Sequence, residues 1–153
     1  MDTLSNLKIE NNVTPIEVKN FINQCGESLT FFRYFDKRPF GIIKNHMLTT
    51  LLFDLNNNVG YGHLEKEDNK IWLGIVLSPD NTGKGYGKYL MEYIINFFLN
   101  TEEENLYLTV DIKNKVAIKL FEKSGFRLES TINSRSYLMK LNKSLIRNIK
   151  DER

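Results

Sequence analysis

Between Pro79 and Lys88 the chain reads Pro-Asp-Asn-Thr-Gly-Lys-Gly-Tyr-Gly-Lys, with glycines at 83, 85 and 87 just before an amphipathic run. A glycine-rich passage from strand to helix lets the backbone approach an anion closely. The free amides of the first helical turn and the helix dipole then favour negative charge. Successive amides from Gly83 to Lys88 can therefore grip a pyrophosphate, with Lys84 and Lys88 adding charge nearby. Two nucleotide patterns fail here. A Walker loop ending at Gly87-Lys88 needs glycine at 82 and a hydroxyl residue at 89, where Thr82 and Tyr89 stand. The dinucleotide fingerprint begun by Gly83 and Gly85 needs glycine where Lys88 stands.

Other residues with chemical potential are fewer. Tyr61, His63 and Glu65 alternate, so a strand places all three on one face. His63 has an unperturbed pKa suited to base work near neutrality. The simpler reading is that this face is solvated. Arg33 and Arg38 stand among Phe31, Phe32, Tyr34, Phe35 and Phe40, where a guanidinium could hold a phosphate or carboxylate and an aromatic ring could stack on a ligand ring. The single cysteine, Cys25, excludes an intramolecular disulfide and a four-cysteine zinc site, and its favoured role is buried helix packing. No metal is expected.

These residues must be positioned by a mixed set of elements. Thr14-Pro15-Ile16-Glu17 is a helix start, with Thr14 as N-cap and Glu17 closing a capping box. Val18, Phe21, Ile22 and Cys25 recur at helical spacing, which predicts a helix over 15–25 ending at Gly26. Residues 4–10 before it read as a first strand, and Leu29–Phe40 as a second helix or an ordered loop. Leu48–Leu55, Val59–Leu64 and Ile71–Leu77, separated by polar turns, predict an antiparallel meander. Tyr86, Leu90, Ile94 and Phe98 mark one face of a helix. Leu106–Val110 reads as a buried strand, followed by a helix with Val116, Ala117, Leu120 and Phe121 inward and Gly125 as its stop. Arg127–Thr131 and Ser136–Leu141 read as two closing strands, and the polar tail Lys143–Arg153 is expected to fray.

Composition sets the outer limits. The 153 residues fit one domain, read as 1–142 plus the tail 143–153, since single cores serve roughly 100–200 residues. With 41% hydrophobic and 26% charged residues the chain is not wholly disordered. A formal charge of +2 does not point to nucleic acid. No apolar run approaches the roughly 18 residues of a membrane span, and the first residues do not read as a signal peptide. A soluble, cytoplasmic protein with neither nucleic-acid nor membrane partner is expected.

Two stretches together carry a family resemblance. Pro79-(x)3-Gly83-Lys84-Gly85-Tyr86-Gly87-(x)2-Leu90-Met91 resembles the acyl-CoA pyrophosphate loop of the GNAT superfamily of N-acetyltransferases. Val110-(x)3-Asn114-(x)2-Ala117-(x)2-Leu120-Phe121-Glu122-Lys123-(x)-Gly125-Phe126 resembles the strand and helix that follow it there, and Tyr137-Leu138-Met139 fits the closing strand. The likeness covers roughly residues 47–141.

The resemblance implies an α/β fold: a mixed, mostly antiparallel sheet flanked by helices, with a splayed parallel strand pair forming an acyl-CoA cleft. It implies acetyl-CoA as cosubstrate and direct transfer to a primary amine. The pantetheine arm would pair with backbone near Ile75 and Leu77, an amide near Leu77 would serve a developing oxyanion, and Thr82–Lys88, Asn114 and Phe121 would contact the coenzyme. Thr82 stands where relatives commonly have Gln or Arg. Many relatives place a proton-donating tyrosine at Phe121, which has no such proton, leaving Tyr86, Tyr107, Tyr137 or water. The strand Ile71–Leu77 lacks the glutamate that many relatives carry, which turns attention to His63 and Glu65, the latter expected opposite Ile71. Residues 27–46 would wall the acceptor site, with Arg33 and Arg38 suiting an amino sugar or other anionic amine. A non-catalytic acyl-CoA sensor and a protein or peptide N-acetyltransferase are the alternatives. A monomer or homodimer is expected.

Overall fold

The structure, a computed structural model, describes residues 6–81 and 83–146. Helix α1 (Pro15–Asn23) starts as its sequence dictates: Thr14 Oγ1 accepts from the Glu17 amide at 3.2 Å, and the Glu17 carboxylate accepts from the Thr14 amide at 3.0 Å. It ends two residues earlier than expected. Gln24 and Cys25 already bond to carbonyls three residues back, at 2.9 and 3.0 Å, and Gly26 turns at φ +48°.

Among the described residues seven strands follow the chain order β1 (Leu7–Glu10), β2 (Leu48–Asp54), β3 (Asn57–Glu67), β4 (Lys70–Leu77), β5 (Asn105–Asp111), β6 (Arg127–Ile132) and β7 (Ser136–Asn142). They form one sheet in the order β1-β2-β3-β4-β5-β7-β6, and only the β4–β5 pair is parallel. Helix α2 (Tyr86–Leu99) makes the crossover that this pair requires, and α3 (Lys115–Lys123) follows β5. The mixed, mostly antiparallel α/β architecture expected from the sequence is therefore the one observed.

Asp68 and Asn69 both take positive φ, 53° and 62°, and make the two-residue turn that suits a twisted hairpin. Pairing runs right up to this turn, Glu67 against Lys70. Glu65 consequently faces Trp72, and it is Lys66 that faces Ile71. The expected partnership of Glu65 with Ile71 is thus off by one residue, because the strands are longer than the apolar runs that announced them.

Each face of the sheet carries its own core. On one face, Leu90, Met91, Ile94 and Phe98 of α2 and Phe121 of α3 pack on Leu64, Ile71, Leu73, Leu106 and Leu108. On the other, Val18, Phe21, Ile22 and the buried Cys25 cover Leu51, Tyr61 and Val76. Residues 26–46 extend this second cover as two short 3₁₀ turns, Gly26–Thr30 and Phe40–Asn45, not as a second helix. Pro39 interrupts the segment, and Phe32 and Phe35 reach the Tyr61 ring at centroid distances of 5.9 and 5.6 Å.

The start of the expected tail is also ordered. Lys143 extends the β5–β7 ladder through its amide, 3.0 Å from the Glu104 carbonyl, and its buried ammonium bonds the Thr101 carbonyl beside Phe98. Residues 147–153 of that tail lie outside the described residues. Among the described residues no helix is long and apolar enough to cross a membrane.

Candidate active site

The parallel pair determines where the sheet opens. β4 and β5 match only at Ile71–Leu106 and Trp72–Tyr107, whereas β3 follows β4 to Leu77 and β7 follows β5 to Asp111. From Leu73 onward, β4 therefore has one edge without a strand partner, and Ile75 and Leu77 stand on that stretch, both half-buried. An unpaired strand edge inside a sheet is a place for an extended ligand.

The glycine-rich loop delivers α2 to the end of this opening. Gly85, at φ +86°, is the N-cap of α2 and offers no side-chain cap. The first helical bond is Tyr89 N to Gly85 O at 3.1 Å, so the amides of Tyr86, Gly87 and Lys88 precede it without an intrahelical acceptor. Gly83, at φ +78°, has no described residue beyond its chain neighbours within 4 Å of where a Cβ would stand. Gly87 is tight instead: a Cβ there would lie 3.0 Å from Leu120 of α3 and 3.6 Å from Leu77 of β4. One glycine leaves open space for a ligand and another lets α2, α3 and β4 converge. This arrangement fits a diphosphate, with Lys84 and Lys88 exposed beside it. Thr82, expected among the coenzyme contacts, lies outside the described residues.

A neighbour that the sequence did not single out steadies this loop. The Tyr86 hydroxyl donates to Asp54 at the end of β2, and that bond first, then burial and the Asp54 charge, raises its pKa. On the other flank, Asn114 Oδ1 caps α3 by accepting from Ala117 N at 3.3 Å. Phe121 lies in the core against Phe126, with centroids 6.0 Å apart.

The second cluster lies on the opposite face, beneath residues 26–46. Tyr61, His63 and Glu65 do share a face, but that face is buried: His63 is 2% exposed. The aromatic segment covers it, which alternation within β3 alone could not reveal. His63 lies flat on Gly74, where a Cβ would come within 2.3 Å of its ring, one residue beyond the point where β4 loses its partner. The Tyr61 hydroxyl is 2.7 Å from His63 Nδ1. Tyr34 donates its hydroxyl proton to Glu65 Oε1 at 2.9 Å and sits 2.7 Å from His46 Nε2, while His46 Nδ1 is 3.0 Å from Thr49 Oγ1. Both histidines of the chain thus meet here, ring centroids 4.5 Å apart.

Burial dominates the electrostatics of this cluster. It pushes His46 down to about 4, with a smaller push from the Arg38 charge, and it pushes His63 well below its ordinary value, helped by His46 and Arg38. Tyr34 and Tyr61 rise, first through burial. Both imidazoles are therefore neutral near neutral pH. On the outer side, Arg38 stacks its guanidinium 4.3 Å over the Tyr34 ring and donates to the Tyr34 carbonyl at 2.9 Å. Arg33 is exposed and turned to the Thr30 carbonyl at 3.4 Å.

The structure thus joins Glu65, His63 and Arg38 around Tyr34 and leaves Tyr137 apart. Tyr137 pairs with Val110 on the face of α2 and α3, two strands from β4, and lines a groove of about 380 Å³ with Lys115 and Phe126. Sequence reading missed Tyr34, His46 and Asp54. The only signal for the first two was the concentration of aromatics between 31 and 40 and the fact that the chain has just 2 histidines.

The sequence model described as "Acetyltransferase (GNAT) family" matches residues 14–126 of this chain. A search of the curated proteins finds no match. Among solved structures, an acetyltransferase of the GNAT family from Streptococcus pneumoniae superposes with a TM-score of 0.72 at 22% identity, covering 89% of this chain and 98% of that one. The PaiA N-acetyltransferase from Thermoplasma acidophilum, solved with coenzyme A, gives 0.73 at 19% identity over 89% and 98%. The spermidine N-acetyltransferase from Vibrio cholerae, solved with CoA and spermine, gives 0.74 at 18% identity over 92% and 97%.

Proposed function

The chain belongs to the GNAT family of acetyltransferases, and on that premise we propose that it transfers an acetyl group from acetyl-CoA to the primary amine of a small, acid-bearing acceptor. The observation that carries this reading is the uncapped start of α2 at the mouth of the β4–β5 opening. Acetyl-CoA supplies the activated acyl thioester. Amides from Gly83 to Lys88, with Lys84, Lys88 and Thr82, hold its diphosphate, and the free edge of β4 at Ile75 and Leu77 takes the extended arm. Asn114, whose Oδ1 caps α3, has its amide group left for the coenzyme. Phe121 supports that wall from the core.

Glu65 is the proton acceptor for the incoming amine. Its side chain keeps 12% exposure, whereas His63 is sealed and its proton affinity is depressed. His63 instead forms the floor under Gly74. Tyr137, on the other face, takes no part, and the departing sulfur gains its proton from solvent.

The acceptor class follows from what flanks Tyr34: a carboxylate bonded to its hydroxyl and a guanidinium stacked on its ring. Glu65 suits an ammonium and Arg38 a carboxylate or phosphate on the same molecule. A purely cationic chain, such as the spermine bound by the Vibrio protein, would meet Arg38 with like charge. Free-thiol release from acetyl-CoA over a panel of amines tests this. Anionic amines should turn over fastest, and Arg38→Ala should raise their KM. Turnover confined to polycations, unaffected by Arg38→Ala, contradicts the acceptor assignment. Coenzyme binding with no thiol release from any amine makes the protein a sensor instead.

A further inference from the structure

Resting on the acetyl-transfer reading above, we propose that Tyr34, His46 and Thr49 form a proton path from Glu65 to a second cavity. That cavity, of about 530 Å³, lies between the start of α1 and the start of β2, with Thr14, Met47, Phe97, His46 and Thr49 in its wall. The path is continuous: Glu65 Oε1 to Tyr34 OH, 2.9 Å; Tyr34 OH to His46 Nε2, 2.7 Å; His46 Nδ1 to Thr49 Oγ1, 3.0 Å.

Counting protons fixes the directions. The Tyr34 hydroxyl has one hydrogen and donates it to Glu65, so towards His46 it can only accept. His46 Nε2 then carries the hydrogen, and in a neutral imidazole Nδ1 is bare and accepts from Thr49. Tyr34, Glu65, Arg38 and His63 are the titratable or charged groups that act on His46; burial and Arg38 keep it neutral.

A path is needed because acetyl transfer liberates a proton. An ammonium and a thioester yield an amide, a thiol and one H⁺, and Glu65 must return to carboxylate before the next cycle. Its side chain is 12% exposed, and a seated acceptor would cover that remainder. With the hydrogens of the path turned outward, the proton leaves by four hops: Glu65 to Tyr34, Tyr34 to Nε2, Nδ1 to Thr49, and Thr49 to water in the cavity. These hops restore the resting arrangement deduced above. A half-turn of the ring then points the Nε2 hydrogen towards Thr49 and bare Nδ1 towards Tyr34, so with the hydroxyls rotated the next proton enters at Nδ1 and leaves from Nε2, and a second half-turn closes the cycle. The imidazole gains one hydrogen as it gives up another, so a low proton affinity is no obstacle. A buried network that only satisfied its own polar groups would need no such outlet.

Two measurements test the path. In the free protein, ¹⁵N spectra of labelled histidine should show His46 near neutral pH with Nε2 protonated and Nδ1 bare. An imidazolium, or the opposite tautomer, overturns the path. In kinetics with the best amine, His46→Gln and His46→Ala should each lower kcat by about tenfold or more while the acceptor KM stays within about twofold. Added imidazole should restore the rate of His46→Ala. Unchanged kcat in both variants of an active parent, or losses that imidazole does not recover, overturns the path alone. A parent that binds acetyl-CoA and releases no thiol overturns the transfer reading and the path with it.

Discussion

The two ends of the candidate site are built from different materials. At the start of α2 the functional groups belong to the main chain, and glycines at 83, 85 and 87 supply shape, space and an uncapped helix. Under residues 26–46 the functional groups are side chains: Tyr34 is hydrogen-bonded to His46 and Glu65, His63 packs its ring on those of Tyr34 and His46, and aromatics seal the group. A backbone site is written contiguously in sequence and tolerates different chemistry around it. A side-chain site exists only once a sheet face has been covered, and there the covering segment decides what the site can accept.

If that contrast holds, substitutions at the two ends should separate binding from turnover. The largest effect belongs to Glu65→Gln, which should lower kcat by about 10²- to 10⁴-fold with coenzyme affinity unchanged, read by thiol release and calorimetry. Gly85→Val comes next. The residue sits at φ +86°, so the loop must shift, and losing two charge-assisted bonds should weaken CoA binding by about 100-fold in a titration. Turnover at saturating coenzyme should change far less.

The third effect is on stability, and its sign follows from the buried histidines. His46 titrates at about 4 in the folded protein against 6.5 when free, so between those values the unfolded chain binds the extra proton. Stability is full above 6.5 and falls as pH drops towards 4, by about 3 kcal/mol at the lower end, with His63 adding loss of the same sign. Denaturant titrations of the parent and of His46→Gln check it: the variant should lose less on acidification. Smaller again is Tyr86→Phe, which removes the bond to Asp54 and should cost about 1 kcal/mol of stability with a few-fold loss of CoA affinity.

The same contrast explains what could be read from sequence. The capping box at Thr14 and Glu17 and the glycine spacing at 83, 85 and 87 are local rules, and both correspond to what the fold contains. The aromatic segment obeys no single period. Its turns are set by Pro39 and by packing against Tyr61, so neither its conformation nor the meeting of Tyr34 with His46 and Glu65 could be seen before the sheet face existed. Glu65 fell opposite Trp72 instead of Ile71 because hydrophobicity marks the buried part of a strand, whereas pairing continued through polar residues to Glu67. Lys143 looked like part of a solvated tail because a charge is ordinarily exposed, whereas in the fold the nearby Thr101 carbonyl gives its ammonium a partner.

The most direct test is a crystal structure of the protein with coenzyme A. Diphosphate oxygens should lie within hydrogen-bond distance of main-chain amides in the Gly83–Lys88 stretch, and the pantetheine should run along β4 beyond Trp72. Coenzyme seated anywhere else, with these amides bound only to water, would contradict the account.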